Sequence, residues 1–282
     1  LTLRILNQSR SSVDAEVGLA LPASWSTAKT NIAVTGLKPN EMRTLTVPLT
    51  WSVDLKPGET AMVSALTGDN PPVTLPIIPN HRRLVQTPDI VCDGDLGDWP
   101  ETARIDPWML GCKGIAADAT IYAGWRSDGL ALAVDVANSE RRLTNPRTFW
   151  SGEVVEVFLG TGDNPHKRSW RPDDHQFWLT PMAGEGRAYL GRWNRGKDQP
   201  ATAYDLDGTV SKVVATETGY RMEVIIPARH IQGWAPEPGT TLGIALCLTA
   251  YGQEGKREVF WPRSKDDGTQ WQPGLWGTWM LE

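Results

Sequence analysis

Phenylalanine is almost missing from this sequence, with four in 282 residues; histidine (four) is as scarce and cysteine (three) scarcer. The odd cysteine count sets no disulfide framework. Cys92 and Cys112 are able to pair, Cys247 sits in the apolar stretch GIALCLTAY, and three reduced thiols serving as small hydrophobes fit equally well. His81, His166, His175 and His230 are scattered without metal-ligand spacing. No GxSxG, Walker loop or Rossmann fingerprint stands in a fitting context. Positive charge is not in excess: 28 Lys and Arg face 33 Asp and Glu, a net charge of -5 and a pI near 5.5. That balance argues against a nucleic-acid partner, which needs a basic face. No apolar run approaches the roughly 20 residues of a membrane span, so no membrane partner is expected. The chain opens at Leu1 in strand-like TLRIL rather than in a signal peptide, and reads as a mature or trimmed product. Helical periodicity is missing as well, apart from one turn's worth at PARHIQGW, and no fixed-period repeat occurs.

What the sequence does have is tryptophan, glycine and proline: 14, 27 and 21 residues. Trp25 and Trp51 lie in the first eighty residues and the other twelve beyond, so the aromatic excess belongs to the later part. Residues 1–80 run through short alternating stretches (LTLRIL, VDAEVGLAL, EMRTLTVPL, TAMVSAL, VTLPIIP) broken by turns such as LKPNE and TGDNPP. Such a pattern predicts a small antiparallel β-sandwich. The polar segment after Ile78 reads as a linker near residues 79–86. From residue 87 onward come ten further strand candidates, from ATIYAGW to WGTWML, with Gly/Asp turns between them, which predicts a second and larger sandwich over 87–282. The fold class is therefore all-β, two antiparallel β-sandwich domains.

Residues 149–159, FWSGEVVEVFL, hold the most informative stretch. Strand side chains alternate between faces, so Glu156 shares a face with Val154 and Phe158, while Glu153 shares one with Val155, Val157 and Leu159. A carboxylate in apolar company needs a partner. One reading makes Glu156 half of a structural ion pair with Arg187 or Arg221. The other makes it a ligand contact, because such expensive groups collect at functional sites. Trp150, just upstream in a loop, favours the second. A sugar offers one C–H face and a rim of hydroxyls, which suits an exposed indole beside fixed carboxylates, amides and guanidinium groups. Asp174, Gln176 and Arg187 lie on neighbouring segments. Trp99, Trp125, Trp261, Trp276 and Trp279 sit in or beside apolar strand sequence and are expected in the core. Trp170 and Trp193, among charges, either extend the site or cap a sheet edge.

Four landmarks occur in order: DGDLGDW at 93–99; AGW followed by GLALAVDV at 123–136; Trp150 to Phe158 followed by DDHQF at 173–177; and WQP with WGTWML at 271–281. Together they resemble the family 9 carbohydrate-binding modules over about residues 87–282. Less specifically, LPASW and LKPGET resemble the immunoglobulin-like sandwiches appended to bacterial glycosidases. The first resemblance implies a β-sandwich that holds sugar between Trp150 and Trp271, with the strand carboxylate at Glu156 and the amide at Gln176 contacting hydroxyls. Trp178 stands where the family often carries an arginine, and joins the site by position. The resemblance further implies a non-catalytic accessory module that binds a polysaccharide or oligosaccharide and is tethered to a catalytic domain in a secreted or extracellular protein (periplasmic or cell-surface included). No cofactor is required. A structural calcium is compatible with the resemblance; the acidic loops at Asp93–Asp98 and Asp173–Asp174 lack regular calcium-loop spacing.

Three other functions compete. A glycoside hydrolase would pair Glu153 with Asp174, or Glu156 with Asp173. A haem-binding sandwich would need axial ligands from Met182, His175 or Met222. A purely structural or adhesive spacer would need neither, and suits the first domain best.

Overall fold

The computed structural model describes the chain apart from residues 52–60, 69, 78–79, 106–108, 111–116, 142–144, 163–168, 263–267 and 269–271, and describes Trp51, Met109, Leu110 and Ala183 by their backbone alone. It is all-β, as the alternation predicts, and divides into two compact units, Leu1–Ile78 and Pro79–Glu282. Among the described residues no helix is long and apolar enough to cross a membrane.

Among its described residues the first unit has eight strands: β1 (Thr2–Leu6), β2 (Val13–Ala20), β3 (Trp25–Ser26), β4 (Asn31–Leu37), β5 (Met42–Thr46), β6 (Thr50–Trp51), β7 (Ala61–Leu66) and β8 (Val73–Ile77). The order β4-β2-β7-β8 makes a four-stranded antiparallel sheet, and β1-β5 and β3-β6 make two ribbons. Alternation along VDAEVGLA buries Ala15, Val17 and Leu19 on one face. Leu3, Ile5 and Leu45 from the β1-β5 ribbon pack on Ala15, Val17, Val34 and Leu37, which closes a small core.

The second unit holds β9 (His81–Leu84), β10 (Met109–Leu110), β11 (Asp118–Arg126), β12 (Gly129–Ala137), β13 (Val154–Gly160), β14 (Asp174–Met182), β15 (Arg187–Trp193), β16 (Val210–Ala215), β17 (Tyr220–Pro227), β18 (Thr241–Gly252), β19 (Gly255–Trp261) and β20 (Gly277–Leu281). One sheet runs β10-β19-β18-β13-β14-β15, with β20 beside the first residues of β18. The other runs β11-β12-β17-β16. Within the segment read as a linker, His81–Leu84 form a strand: β9 pairs in parallel with β20, matching His81 to Thr278 and Leu84 to Leu281. Leu84 is buried there, and backbone hydrogen bonds outweigh the polarity of HRRL.

The core lies between the two sheets. Val155, Val157 and Leu159 of β13 align with Leu179, Phe177 and His175 of β14, and with Leu248, Leu246 and Ile244 of β18. All are essentially inaccessible. The second sheet contributes Leu130, Leu132 and Val134 in register with Ile226, Val224 and Met222. Trp99, Trp125, Trp261, Trp276 and Trp279 are all buried. The outer face of the second sheet is closed by the chain at Ile90–Ala103, whose Ile90, Trp99 and Ala103 cover Ala131, Ala133 and Ile225. Glu223 anchors this cover by accepting from Trp99 Nε1 (2.8 Å), Asp93 N (3.0 Å) and Gly94 N (2.6 Å). Gly94 has φ 93°, and a Cβ there would lie 2.3 Å from Val214, so the approach requires glycine.

Candidate functional site

The face of β13 away from the core carries Glu156 and Phe158, and pairing brings their neighbours to the same face. Glu156 lies between Trp178 of β14 and Cys247 of β18; Gln176 lies between Phe158 of β13 and Trp193 of β15. Both polar side chains are buried at the residue level. Gln176 Nε2 donates to Glu156 Oε1 at 2.8 Å, and Gln176 Oε1 accepts from Arg195 Nε at 2.5 Å. A carboxylate, an amide and a guanidinium are thus joined in one row. Burial holds the Arg195 guanidinium below the usual arginine range, while the charge of Glu156 opposes that shift.

An aromatic group stands beside this row. The loop before β13 turns through residues 146–151, where Asn145 Oδ1 accepts from Arg147 N at 2.9 Å and Pro146 starts the turn. That turn sends Phe149 inward and Trp150 outward. Phe149 stacks on Trp178, with centroids 4.4 Å apart and planes 12° from parallel. Trp150 is 53% exposed and meets both Phe149 and Trp193 edge to face, the latter at 6.0 Å and 82°. Trp150 and Trp193 therefore form two walls at nearly a right angle. Such an exposed, propped indole is an apolar platform held by the fold rather than by a ligand. Trp178 has no exposed surface and supports the platform from beneath. Its ring fits only because residue 191 is glycine, where a Cβ would lie 2.0 Å from the ring.

The other expected site residues divide. Trp271 lies outside the described residues. Asp174 is buried two positions before Gln176, on the same face; its Oδ2 accepts from Arg171 N at 2.8 Å, so it frames one end of the row. Arg187 is not brought to the row. It sits six residues before Trp193, about 20 Å along β15. There it binds Glu185 and Asp205 (3.3 and 2.9 Å) and lies over Tyr189. Arg221 pairs with Asp135 at 3.1 Å, so neither arginine weighed for an ion pair serves Glu156. Trp178 backs the site without a surface to offer. Sequence reading missed Arg195, whose loop GRWNRGKDQP looks like a solvated turn; the signal lay in the β14–β15 register, which sets Trp193 opposite Gln176. Trp170 edges onto Trp276 and Phe158 at the other side of the same face.

The hydrolase pairs do not converge. Glu153 is buried, with its oxygens on Ser139 Oγ (2.7 and 2.8 Å) and Tyr251 N (3.1 Å). From the register, Asp173 lies five positions from Glu156 along the strands, about 16 Å, and Asp174 seven positions from Glu153, about 23 Å; glycosidase pairs stand about 5–10 Å apart. For haem, Met222 is in the core and His175 Nε2 already accepts from Gln232 N at 2.9 Å. For calcium, Asp93 and Asp95 accept backbone N–H groups within their own loop, and Asp98 accepts from Val91 N. Among the described residues no group of three or more His, Cys, Asp or Glu comes together to hold a metal ion. Cys92 directs its thiol at Val210 O (3.9 Å), and Cys112 lies outside the described residues.

Residues 98–282 match the family described as carbohydrate family 9 binding domain-like. The chain belongs to that family. Two solved structures are similar to this family 9 domain. One is a family 9 carbohydrate-binding module from Caldicellulosiruptor kristjanssonii in complex with cellotriose, 19% identical, with 71% of this chain and 94% of that chain covered and a TM-score of 0.52. The other is a family 9 module from the same organism in complex with glucose, 18% identical, covering 71% and 96%, at 0.51. At these identities the likeness concerns the fold. No curated protein matches the chain.

Proposed function

We propose that this chain binds carbohydrate without catalysis, on the outward face of β13, β14 and β15. The observation that carries the reading is the pairing of an exposed, rigidly backed Trp150 with the buried Glu156–Gln176 hydrogen bond beside it. Trp150 stacks on the C–H face of a sugar ring with Trp193 as its second wall, Trp271 is a further aromatic of the site, and Glu156, fixed from beneath by Gln176, meets the hydroxyl rim. The sugars in the two similar complexes make glucose and cellotriose the first probes. The larger setting is an accessory region of a secreted polysaccharide-active protein, with a catalytic domain elsewhere in it and the first unit as an immunoglobulin-like spacer.

A glycan array spanning β-glucans, xylans and uronic-acid polymers, followed by calorimetric titration of the native protein and Trp150→Ala, tests the reading. Sugar binding that Trp150→Ala weakens while the fold persists is the expected result. Native protein that binds no glycan, or a Trp150→Ala variant with native affinity, overturns it.

A further inference from the structure

The loop after β15 is built around one side chain. Gln199 is buried in it, and its Oε1 accepts from both Arg195 N (2.7 Å) and Gly196 N (2.8 Å). Its Nε2 donates to the carbonyls of Arg171 (2.9 Å) and Asp174, which ties the loop to the start of β14. Asn194 adds two bonds, from its N to Thr202 Oγ1 (3.2 Å) and from its Nδ2 to Gln199 O (3.0 Å). A charged turn serving only as a connection needs no such bracing. The braced backbone sends Arg195 back over the sheet, half-buried, with its guanidinium 5.8 Å from the Trp193 ring centroid and its Nε on Gln176 Oε1.

We infer that Arg195 is a specificity-determining residue of the carbohydrate site, contacting the ligand with its terminal nitrogens and fixing Gln176 with its Nε. This inference rests on the carbohydrate reading. Two features of the chemistry point to it. An amide can turn over in place, and here the bond from Arg195 at the oxygen and the bond to Glu156 at the nitrogen set one orientation. A guanidinium also carries five N–H donors in a planar fork, so one side chain holds Gln176 through Nε and carries further donors along a second edge. Acceptors on a ligand between Trp150 and Trp193 would meet that edge. The row then offers a carboxylate that accepts and a guanidinium that donates, with the buried amide holding the two in place. One negative and one positive charge cancel across it, which suits neutral hydroxyl-rich sugars over uronic-acid polymers.

The test is calorimetric titration of native protein, Arg195→Gln and Arg195→Lys with cellotriose, or with the strongest glycan of the array, alongside thermal unfolding. Arg195→Gln is expected to bind about tenfold more weakly or worse, with a melting temperature within about 2 °C of native. Arg195→Lys keeps the charge but loses the fork and the Nε bond, and should remain about fivefold weak or worse. Native protein that binds sugar together with variants within about twofold of it overturns the role of Arg195 and leaves the carbohydrate reading standing. Native protein that binds no glycan overturns both.

Discussion

Glu223 and Glu156 are both buried carboxylates on central strands of the second unit, yet their surroundings differ in kind. Glu223 accepts two backbone N–H groups and an indole N–H from a loop that covers its sheet. Burial pushes its carboxyl above the ordinary glutamate range, and those three donors pull it partly back. Glu153 is likewise held inside the fold, by the Ser139 hydroxyl and Tyr251 N. Glu156 instead meets a side-chain amide that is itself held by a side-chain guanidinium, beside an exposed tryptophan. Backbone donors from a packed loop make a buried acid part of the scaffold. Side-chain donors next to an open aromatic make it part of a surface prepared for something else.

The largest effect should come from the scaffold member. Glu223→Ala leaves the buried Trp99 indole N–H and two part-buried backbone N–H groups without their acceptor and is expected to lower unfolding stability in urea by about 2–4 kcal/mol. Glu223→Gln keeps the shape and serves the two loop N–H groups, but sets an amide N–H against Trp99 Nε1, and should cost about 1–2 kcal/mol. A loss below about 0.5 kcal/mol for the alanine variant would remove the distinction between the two acids.

A second scaffold group should respond to pH. Burial, with the nearby Arg192 charge adding to it, pulls His175 down to about 4 from its ordinary 6.5. The folded protein thus keeps it neutral, and Nε2 accepts from Gln232 N. Its stabilising contribution is complete above pH 6.5 and is lost as pH falls from there through about 4, because the unfolded chain takes up the proton first. The expected loss across that window is about 3 kcal/mol, read from urea midpoints. His175→Gln should flatten the part of the profile between pH 6.5 and 4.5. An unchanged slope would assign the acid sensitivity to carboxylates instead.

On the other side of the comparison, Trp150→Ala should cost about 1–3 kcal/mol of sugar affinity. Stability should change little, since half of that side chain is already in water. An equal loss of stability and affinity would make Trp150 scaffold.

The all-β class and the core tryptophans were legible because period-two alternation and turn residues are local signals. So was Glu156, whose apolar neighbours on one strand marked it as unusual. The site as a whole was only half legible, because its members meet across strands. Nothing within GRWNRGKDQP tells that Trp193 stands opposite Gln176; only the β14–β15 register does. Trp178 was misplaced for the same reason, since its burial depends on Gly191 across the pair and Phe149 above it. The β9 segment was read as linker because its partner, β20, lies almost two hundred residues away, where no local pattern reaches.

Arg187 draws the boundary of the site most finely, and the smallest effect is expected there. Arg187 and Arg195 are both arginines at or just beyond β15, and composition cannot tell them apart. Arg187 stands in water at one end of the strand, paired with Glu185 and Asp205. Exposed pairs of this kind contribute about 1 kcal/mol at most, since salt and side-chain entropy offset the attraction. Arg187→Ala should therefore change stability by no more than that and leave sugar titrations as in the native protein. If Arg187→Ala weakened binding as much as Arg195→Gln, the site would have to run the length of β15. The Glu156–Gln176–Arg195 row would then be one end of a longer binding face rather than its centre.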